Sequence, residues 1–287
     1  MAAPNLILCR PALPKDRQPI LNFLQDVWDG EDYVPEIWDS WLFTEPGLLA
    51  VAELGGMVVG QGHLSDLGGR EWWLEGLRVH PDQRGQGVGS HLHDYFVERW
   101  LASDGAVVRL ATHANRISVH KMCERTGFER VSAFVPMEST PLSGRSKHSL
   151  TEAGEPDWER ALEEVDEAGY FESLGGLMDN HWTFALPRAG RLRAEQGDRL
   201  LKSADGWMHL VRVDPTERER DAHLLATSAT GQALETALLD LRRWMGEAGL
   251  DQLSWLAPKV PDYLEVAEKA GFARMDEEGL LIYERQA

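Results

Sequence analysis

The sequence predicts an α/β fold, a mixed sheet with helices on both faces, built twice in tandem, and three observations carry that expectation. A strand, a glycine-rich turn and an amphipathic helix follow one another over Leu77-Arg78-Val79-His80-Pro81-Asp82-Gln83-Arg84-Gly85-Gln86-Gly87-Val88-Gly89-Ser90. Gly231, Trp244, Gly249, Gly271 and Phe272 each stand 144 residues after Gly87, Trp100, Gly105, Gly127 and Phe128. These positions govern turns and helix ends, so the spacing reads as two copies of one domain. Between Glu138 and Pro156 the composition shifts to Ser, Thr, Pro and Gly, as in a linker. The expected domains are 1–140 and 157–287, joined by 141–156, with the two halves able to pack as a pseudo-dimer.

In chain order, Asn5 to Pro11 alternates like a short strand, and Asp16 is placed to cap a helix with Ile20, Leu21, Phe23, Leu24 and Val27 at helical spacing. Trp28-Asp29-Gly30-Glu31-Asp32-Tyr33 then leads into a short helical run with Ile37, Trp38, Trp41 and Leu42. Tryptophans and acids are concentrated here, which fits either a hydrophobic lid with an acidic edge or a pocket that accepts an amine. Gly47 to Leu64 reads as a hairpin about Gly55-Gly56, and Glu71 to Val79 as the strand entering the glycine turn. Val88, Leu92, Phe96 and Trp100 stripe the next helix, with Tyr95 and Leu101 widening it and Gly105 ending it. A strand over Val107 to Thr112, a helix capped by Ser118 and a strand over Glu129 to Val135 complete the first copy. The second reads as a helix over Trp158 to Ala168, strands at Thr183 to Leu186 and Trp207 to Val213, and a long helix over Ala233 to Ala248. A strand at Leu253 to Leu256, a helix capped by Asp262 and a last strand at Leu280 to Tyr283 follow.

The apolar fraction of 43% with 26% charged residues is that of a soluble globular chain, and no run approaches the ~18 apolar residues of a membrane span. No basic segment followed by an apolar one opens the sequence, so no signal peptide is expected. Two cysteines, Cys9 and Cys123, suit a reducing cytoplasm better than a disulfide framework. The net charge of −18 argues against nucleic acid or an anionic membrane as partner and favours a small cationic molecule, or serves only solubility. The histidines show no ligand spacing: His91 and His93 lie two apart on a helix and face different sides, so no metal is expected. Oligomeric state is not legible.

Glycines at 85, 87 and 89 let the backbone close on an anion at a helix N-terminus, and Arg84 adds a charge-assisted contact. Alone, such a turn suits several nucleotide folds. A dinucleotide fold wants an acid at the end of the following strand, whereas Asp104 precedes Val107; a triphosphate loop wants a Lys-Ser/Thr pair, and none stands here.

Arg84-Gly85-Gln86-Gly87-Val88-Gly89, preceded by Leu77-x-Val79-x-Pro81, resembles the first coenzyme A-binding motif of the Gcn5-related N-acetyltransferase (GNAT) superfamily. The resemblance extends through Asn115 to Gly127-Phe128 and covers roughly residues 5–137. It implies that acetyl-CoA is the donor, that the segment Leu77, Arg78 and Val79 offers backbone groups to the pantetheine arm, and that Arg84, Gly85, Gln86, Gly87, Val88, Gly89 and Ser90 hold the pyrophosphate. Asn115 would contact the arm from the other side. Trp28, Glu31, Asp32 and Tyr33, taken with Glu75-Gly76-Leu77-Arg78-Val79, are similar to the entry segment and central strand of the vertebrate histidine N-acetyltransferase group. That implies an amino-acid-like amine, with Glu31 and Asp32 attracting its charge. Family members often carry a tyrosine, the acid that protonates the leaving thiolate, four residues before the Gly-Phe pair. Here Cys123 stands there, either a thiol donor or a small apolar filler.

An ammonium group reacts only after losing its proton, so a carboxylate base is needed. Glu75, flanked by Trp72, Trp73 and Leu74, shares a strand face with Leu77 and is the candidate. At the 144-residue offset Arg84, Gly85 and Gly89 become Ser228, Ala229 and Ala233, which places catalysis in the N-terminal copy. The expected function is acetyl transfer to a primary amine of a small amino-acid-like or polycationic molecule. The alternatives are a non-catalytic acyl-CoA-binding or scaffold protein and, among enzymes, an aminoglycoside N-acetyltransferase.

Overall fold

The computed structural model describes residues 6–25, 32–144, 150–180, 182–193, 197–213 and 220–287. They form two compact units, one of residues 1–111, 117–129 and 283–287, the other of 112–116 and 130–282. Residues 130–140, expected in the first domain, thus group with the second unit, and the chain's last five residues group with the first.

The first unit contains β1 (Ile7–Pro11), α1 (Arg17–Leu24), α2 (Val34–Phe43), β2 (Gly47–Leu54), β3 (Met57–Asp66), β4 (Glu71–Val79), α3 (Val88–Leu101), most of β5 (Val107–His113) and α4 (Ile117–Arg125). Its strands lie in the order β1-β2-β3-β4-β5, antiparallel except for the parallel β4–β5 pair. α1 and α2 cover one face with Ile20, Phe23, Leu24, Val34, Trp38 and Trp41. On the other face Val88, Leu92, Phe96 and Trp100 are almost fully buried, each such side chain contributing about 1.5–3 kcal/mol. Gly60 and Gly62 on β3 make room for α3: a Cβ at Gly62 would stand 2.8 Å from the Phe96 ring. Leu101, expected in that stripe, is exposed.

The expected caps are corrected. Asp16 precedes α1 without capping it and instead accepts from the Leu13 N–H at 2.7 Å and from Arg10. Ser118 and Asp262 are both the second residue of their helices, inside the first turn.

The second unit carries β6 (Glu129–Ser139), β7 (Thr151–Glu152), α5 (Trp158–Glu167), β8 (Met178–Asp179), β9 (Phe184–Ala185), β10 (Asp198–Lys202), β11 (Met208–Val213), β12 (Asp221–Thr227), α6 (Gly231–Ala248), β13 (Gln252–Pro258), α7 (Pro261–Lys269), β14 (Ala273–Arg274) and the start of β15 (Leu280–Gln286). Its strand order is β6-β13-β12-β11-β10-β7, with β12 and β13 parallel. β15 ends in the first unit beside β5, where Ala287 N–H donates to Ala106 O at 2.9 Å. No helix among the described residues is long and apolar enough to cross a membrane.

Candidate functional site

The glycine turn opens α3 without a side-chain cap. After a single tight turn at Pro81–Gln83, Gly85 and Gly87 take φ of 78° and 88°, values that side chains resist. Gly87 is the N-cap of α3 and no side chain caps it. The first helical bond across the cap is His91 N–H to Gly87 O at 3.0 Å, so the preceding amides of Val88, Gly89 and Ser90 have no partner within the helix. Arg84 is exposed, and Gln86 Nε2 donates to Gln83 Oε1 at 2.8 Å. Gly89 has ordinary helical geometry; a Cβ there would lie 3.6 Å from Val79 Cγ2 and 3.9 Å from Leu77 Cδ2. The fold thus tolerates alanine at 89, and what glycine preserves is open space between the helix end and the end of β4. A pyrophosphate and its attached arm fit these features: free amides, a bare Cα and a nearby guanidinium.

The second feature is a gap beside β4. Its parallel pairing with β5 runs only from Glu71↔Val107 to Trp73↔Arg109. Just beyond, β4 carries one residue more than β3 between the pairs His63↔Glu75 and Gln61↔Arg78, a bulge. Gly76 takes φ of 62° there, and its carbonyl accepts from Gln61 Nε2 at 2.8 Å. A Cβ on Gly76 would come within 2.5 Å of the Trp41 ring. His80 N–H donates to Val59 O at 2.8 Å, so antiparallel alternation turns the backbone groups of Val79 away from β3. Leu77, Arg78 and Val79 thereby lie along the stretch of β4 where no β5 pairing is made.

Glu75 sits at the base of this gap on the face covered by α2. Ser65 Oγ donates to its Oε1, and His63 Nδ1 lies 3.3 Å from the same oxygen and 3.0 Å from Ser65 Oγ. Among the described residues Oε2 accepts no hydrogen bond. Trp41 stacks on His63 at 4.6 Å and meets Tyr33 edge-on at 6.1 Å. Tyr33 lies under the Arg78 guanidinium, 5.5 Å from its ring centre. Burial raises the tyrosine hydroxyl pKa, Arg78 opposes that, and Glu75 and Asp32 add to it.

Asp32 is corrected. Its carboxylate is almost fully buried, accepts from Arg78 Nε at 2.6 Å and receives the Val34 N–H at 3.0 Å. It ties the start of α2 to β4, and its charge is already met by Arg78. Trp28 and Glu31 lie outside the described residues. Cys123 is fully buried in α4, its thiol pushed up to about 12, chiefly by burial and then by Glu124. Such a thiol gives up a proton poorly, and the side chain is packed inside the unit. Asn115 lies exposed in the turn at 114–115, within a segment that groups with the second unit. His63 and Ser65 were not singled out from sequence; a histidine facing Glu75 across the β3–β4 hairpin is the signal that could have found them. Among the described residues no group of three metal-ligating side chains exists.

Among the described residues the second unit shows no corresponding glycine turn between strand and helix. Asp221↔Gln252 is the counterpart of Glu71↔Val107, so β12 corresponds to β4, yet only residues 228–230 connect it to α6, against 80–87 between β4 and α3. The loop is missing, which corrects the residue-by-residue match of Ser228 and Ala229 to Arg84 and Gly85. Ser228 N–H is bound to Met208 O at 2.9 Å, Ala229 N–H to Thr227 Oγ1 at 3.1 Å, and Ala229 is fully buried. Where β12 and β13 stop pairing, the buried Tyr170 hydroxyl accepts from Trp255 Nε1 at 3.0 Å and reaches Leu225 O at 3.4 Å.

Comparison with known proteins agrees with this geometry. Residues 17–128 match the acetyltransferase (GNAT) family model. The chain is 31% identical over 174 residues to a histidine N-acetyltransferase of Xenopus tropicalis, covering 58% of this chain and 53% of that protein. It is 33% identical over 88 residues to one of Oreochromis niloticus, covering 30% and 26%. It therefore spans about half or less of the length of these curated relatives. Among solved structures, a GCN5-related N-acetyltransferase from Sphaerobacter thermophilus aligns with a TM-score of 0.63 at 15% identity, covering 98% of this chain and 95% of that one. A tandem GNAT protein from the clavulanic acid biosynthesis pathway aligns at 0.57 and 17%, covering 98% of both. The family match falls on the unit that holds the glycine turn, and the fold of these acetyltransferase structures is shared along nearly the whole chain.

Proposed function

We propose that the protein is an acetyltransferase that uses acetyl-CoA to acetylate the amine of a small amino-acid-like molecule, and that its first unit performs the reaction. The observation that supports this best is the conjunction of an uncapped, glycine-opened helix end, an adjoining gap along β4, and a carboxylate at the base of that gap with one oxygen free. Arg84 and the amides of Gly87 to Ser90 would hold the pyrophosphate, and the backbone of Leu77 to Val79 the arm that follows it. Bound there, acetyl-CoA supplies the thioester carbonyl that a neutral amine attacks; the C–S bond breaks as the C–N bond forms, and the second nitrogen proton passes by way of water to the leaving thiolate. Glu75 takes the ammonium proton on Oε2, and backbone N–H groups at the gap steady charge as it develops.

The histidine N-acetyltransferase names of the relatives support an amino-acid-like acceptor. Asp32, already paired with Arg78, lends no net negative charge, which weighs against a polycationic acceptor such as an aminoglycoside. Burial of Cys123 favours a second reading, a coenzyme-binding protein without turnover. Calorimetry with acetyl-CoA, joined to a thiol-release and mass-spectrometric screen of amino acids, polyamines and aminoglycosides, tests both. Binding with acetylated product supports the enzyme, binding without product supports the second reading, and absence of both removes the assignment.

A further inference from the structure

Two side chains around Glu75 have no part in the reaction as described, and their hydrogen bonds are directional. His63 pairs with Glu75 across the β3–β4 ladder and Ser65 pairs with Trp73, so both lie on the α2 face beside the carboxylate. Ser65 donates its only hydroxyl proton to Glu75 Oε1. The 3.0 Å contact between Ser65 Oγ and His63 Nδ1 then requires the proton on Nδ1, from which it is shared between Ser65 Oγ and Glu75 Oε1 at 3.3 Å. That assignment leaves Nε2 as the bare nitrogen, and Nε2 is buried with no hydrogen-bond partner among the described residues. The ring is fixed by stacking against Trp41, with planes 14° apart. An unpaired buried acceptor is unfavourable, and a histidine present only to fill space gains nothing from it. A histidine that must hold its proton toward a carboxylate does.

We propose that Ser65 and His63 are positioning residues for Glu75: they tie down Oε1 and leave Oε2 free to accept the proton of the incoming amine. This rests on the acetyl-transfer reading above. In the step concerned an N–H bond of the ammonium breaks, an O–H bond forms at Oε2, and the proton passes to water from the part-exposed carboxyl group. Other charged or titratable groups on this side of the sheet are Tyr33 and Asp32 ahead of α2, Arg78 and Glu71 on β4, Arg109 on β5 and Glu284 on β15, and beside the helices His80 against Phe23, the Arg10–Asp16–Glu53 cluster and the Arg17–Asp39 pair. Asp32 is bound to Arg78, and Arg109 bridges Glu71 and Glu284, so changes at 63 and 65 leave those pairs in place.

The test uses the full chain with acetyl-CoA and an equimolar pool of free amino acids, following thiol release across pH. Ser65→Ala and His63→Leu should lower the rate at neutral pH by roughly ten- to a hundredfold. They should also move the acid limb of the profile to higher pH, because each removes a donor to the charged carboxylate, while the KM for acetyl-CoA stays unchanged. Ser65→Thr and His63→Asn, which keep a donor in place, should retain the wild-type profile. Imidazole ¹⁵N NMR of the unsubstituted chain should show the Nδ1–H tautomer at His63. Folded Ser65→Ala and His63→Leu proteins with the wild-type profile, or an Nε2–H tautomer, overturn the proposal. A wild-type chain that releases no thiol with any amine strikes the acetyl-transfer reading instead, and the tautomer still decides whether His63 holds Glu75.

Discussion

Gln61 Nε2 donates to the carbonyl of Gly76 at 2.8 Å, and this bond fastens the bulge beyond which β4 has no β5 pairing. Gly76→Ala places a methyl group at a positive φ and against the Trp41 ring. Denaturant unfolding should show a loss of about 1–3 kcal/mol, and acetyl-CoA affinity should fall with it. Gln61→Leu should cost a similar ~1–3 kcal/mol by orphaning a buried carbonyl.

Gly89→Ala separates binding from folding. The new methyl meets Val79 and Leu77 at ordinary contact distances, and alanine is the better helix former by up to ~1 kcal/mol. Thermal melts should therefore show unchanged or raised stability, while calorimetry shows weaker acetyl-CoA binding. Arg84→Ala should weaken the coenzyme by about tenfold, ~1.4 kcal/mol, and Ser228→Ala should leave affinity unchanged.

Two buried histidines set an acid limit. His93, bonded to Thr126 Oγ1 at 2.8 Å, and His209, bonded to Thr227 Oγ1 at 2.8 Å, are each lowered by burial from 6.5 to about 4. Between those values the unfolded chain binds protons that the folded chain refuses, so stability rises with pH through this window and is lost as pH falls from about 7 toward 4. Each site contributes on the order of 3 kcal/mol at the acid end. Urea titrations from pH 7.5 to 4.5 should trace the slope, and His93→Gln should flatten it.

Arg109 bridges Glu71 and Glu284 at 2.6 Å each, and its side chain and that of Glu71 are almost fully buried. Arg109→Met leaves Glu71 charged and enclosed, a change that costs about 3–5 kcal/mol. Measured by urea unfolding at neutral pH, Glu284→Gln should cost less, because Glu284 reaches solvent.

Much of the architecture was legible because glycines and helical stripes report chain geometry directly: Gly85, Gly87 and the Val88–Trp100 stripe mark the β4–α3 unit from sequence alone. β12 was not legible. Asp221-Ala222-His223-Leu224-Leu225-Ala226-Thr227 is buried at nearly every position, its two polar interior residues satisfied by distant partners, Asp179 with Ser254 and His209, so no alternation betrays a strand. Missing it put the two copies out of register at the loop, making an absent glycine turn look like a degraded one. At the site, Glu75 stands out in the sequence because it is flanked by Trp72, Trp73 and Leu74. The pairing of Asp32 was not legible because its partner, Arg78, lies 46 residues away in sequence. The roles of Ser65 and His63 depend on the β3–β4 register, which a bulge shifts.

The central claim is that one unit, opened by Gly85 to Gly89, holds acetyl-CoA, while the second shows no such turn among the described residues and Tyr170 lies where its central strands part. Titration calorimetry of acetyl-CoA into the full chain tests it most directly. The account predicts one site per chain, lost in a folded Gly89→Val variant and untouched by Tyr170→Phe. Two sites per chain, or full binding retained in Gly89→Val, would contradict it.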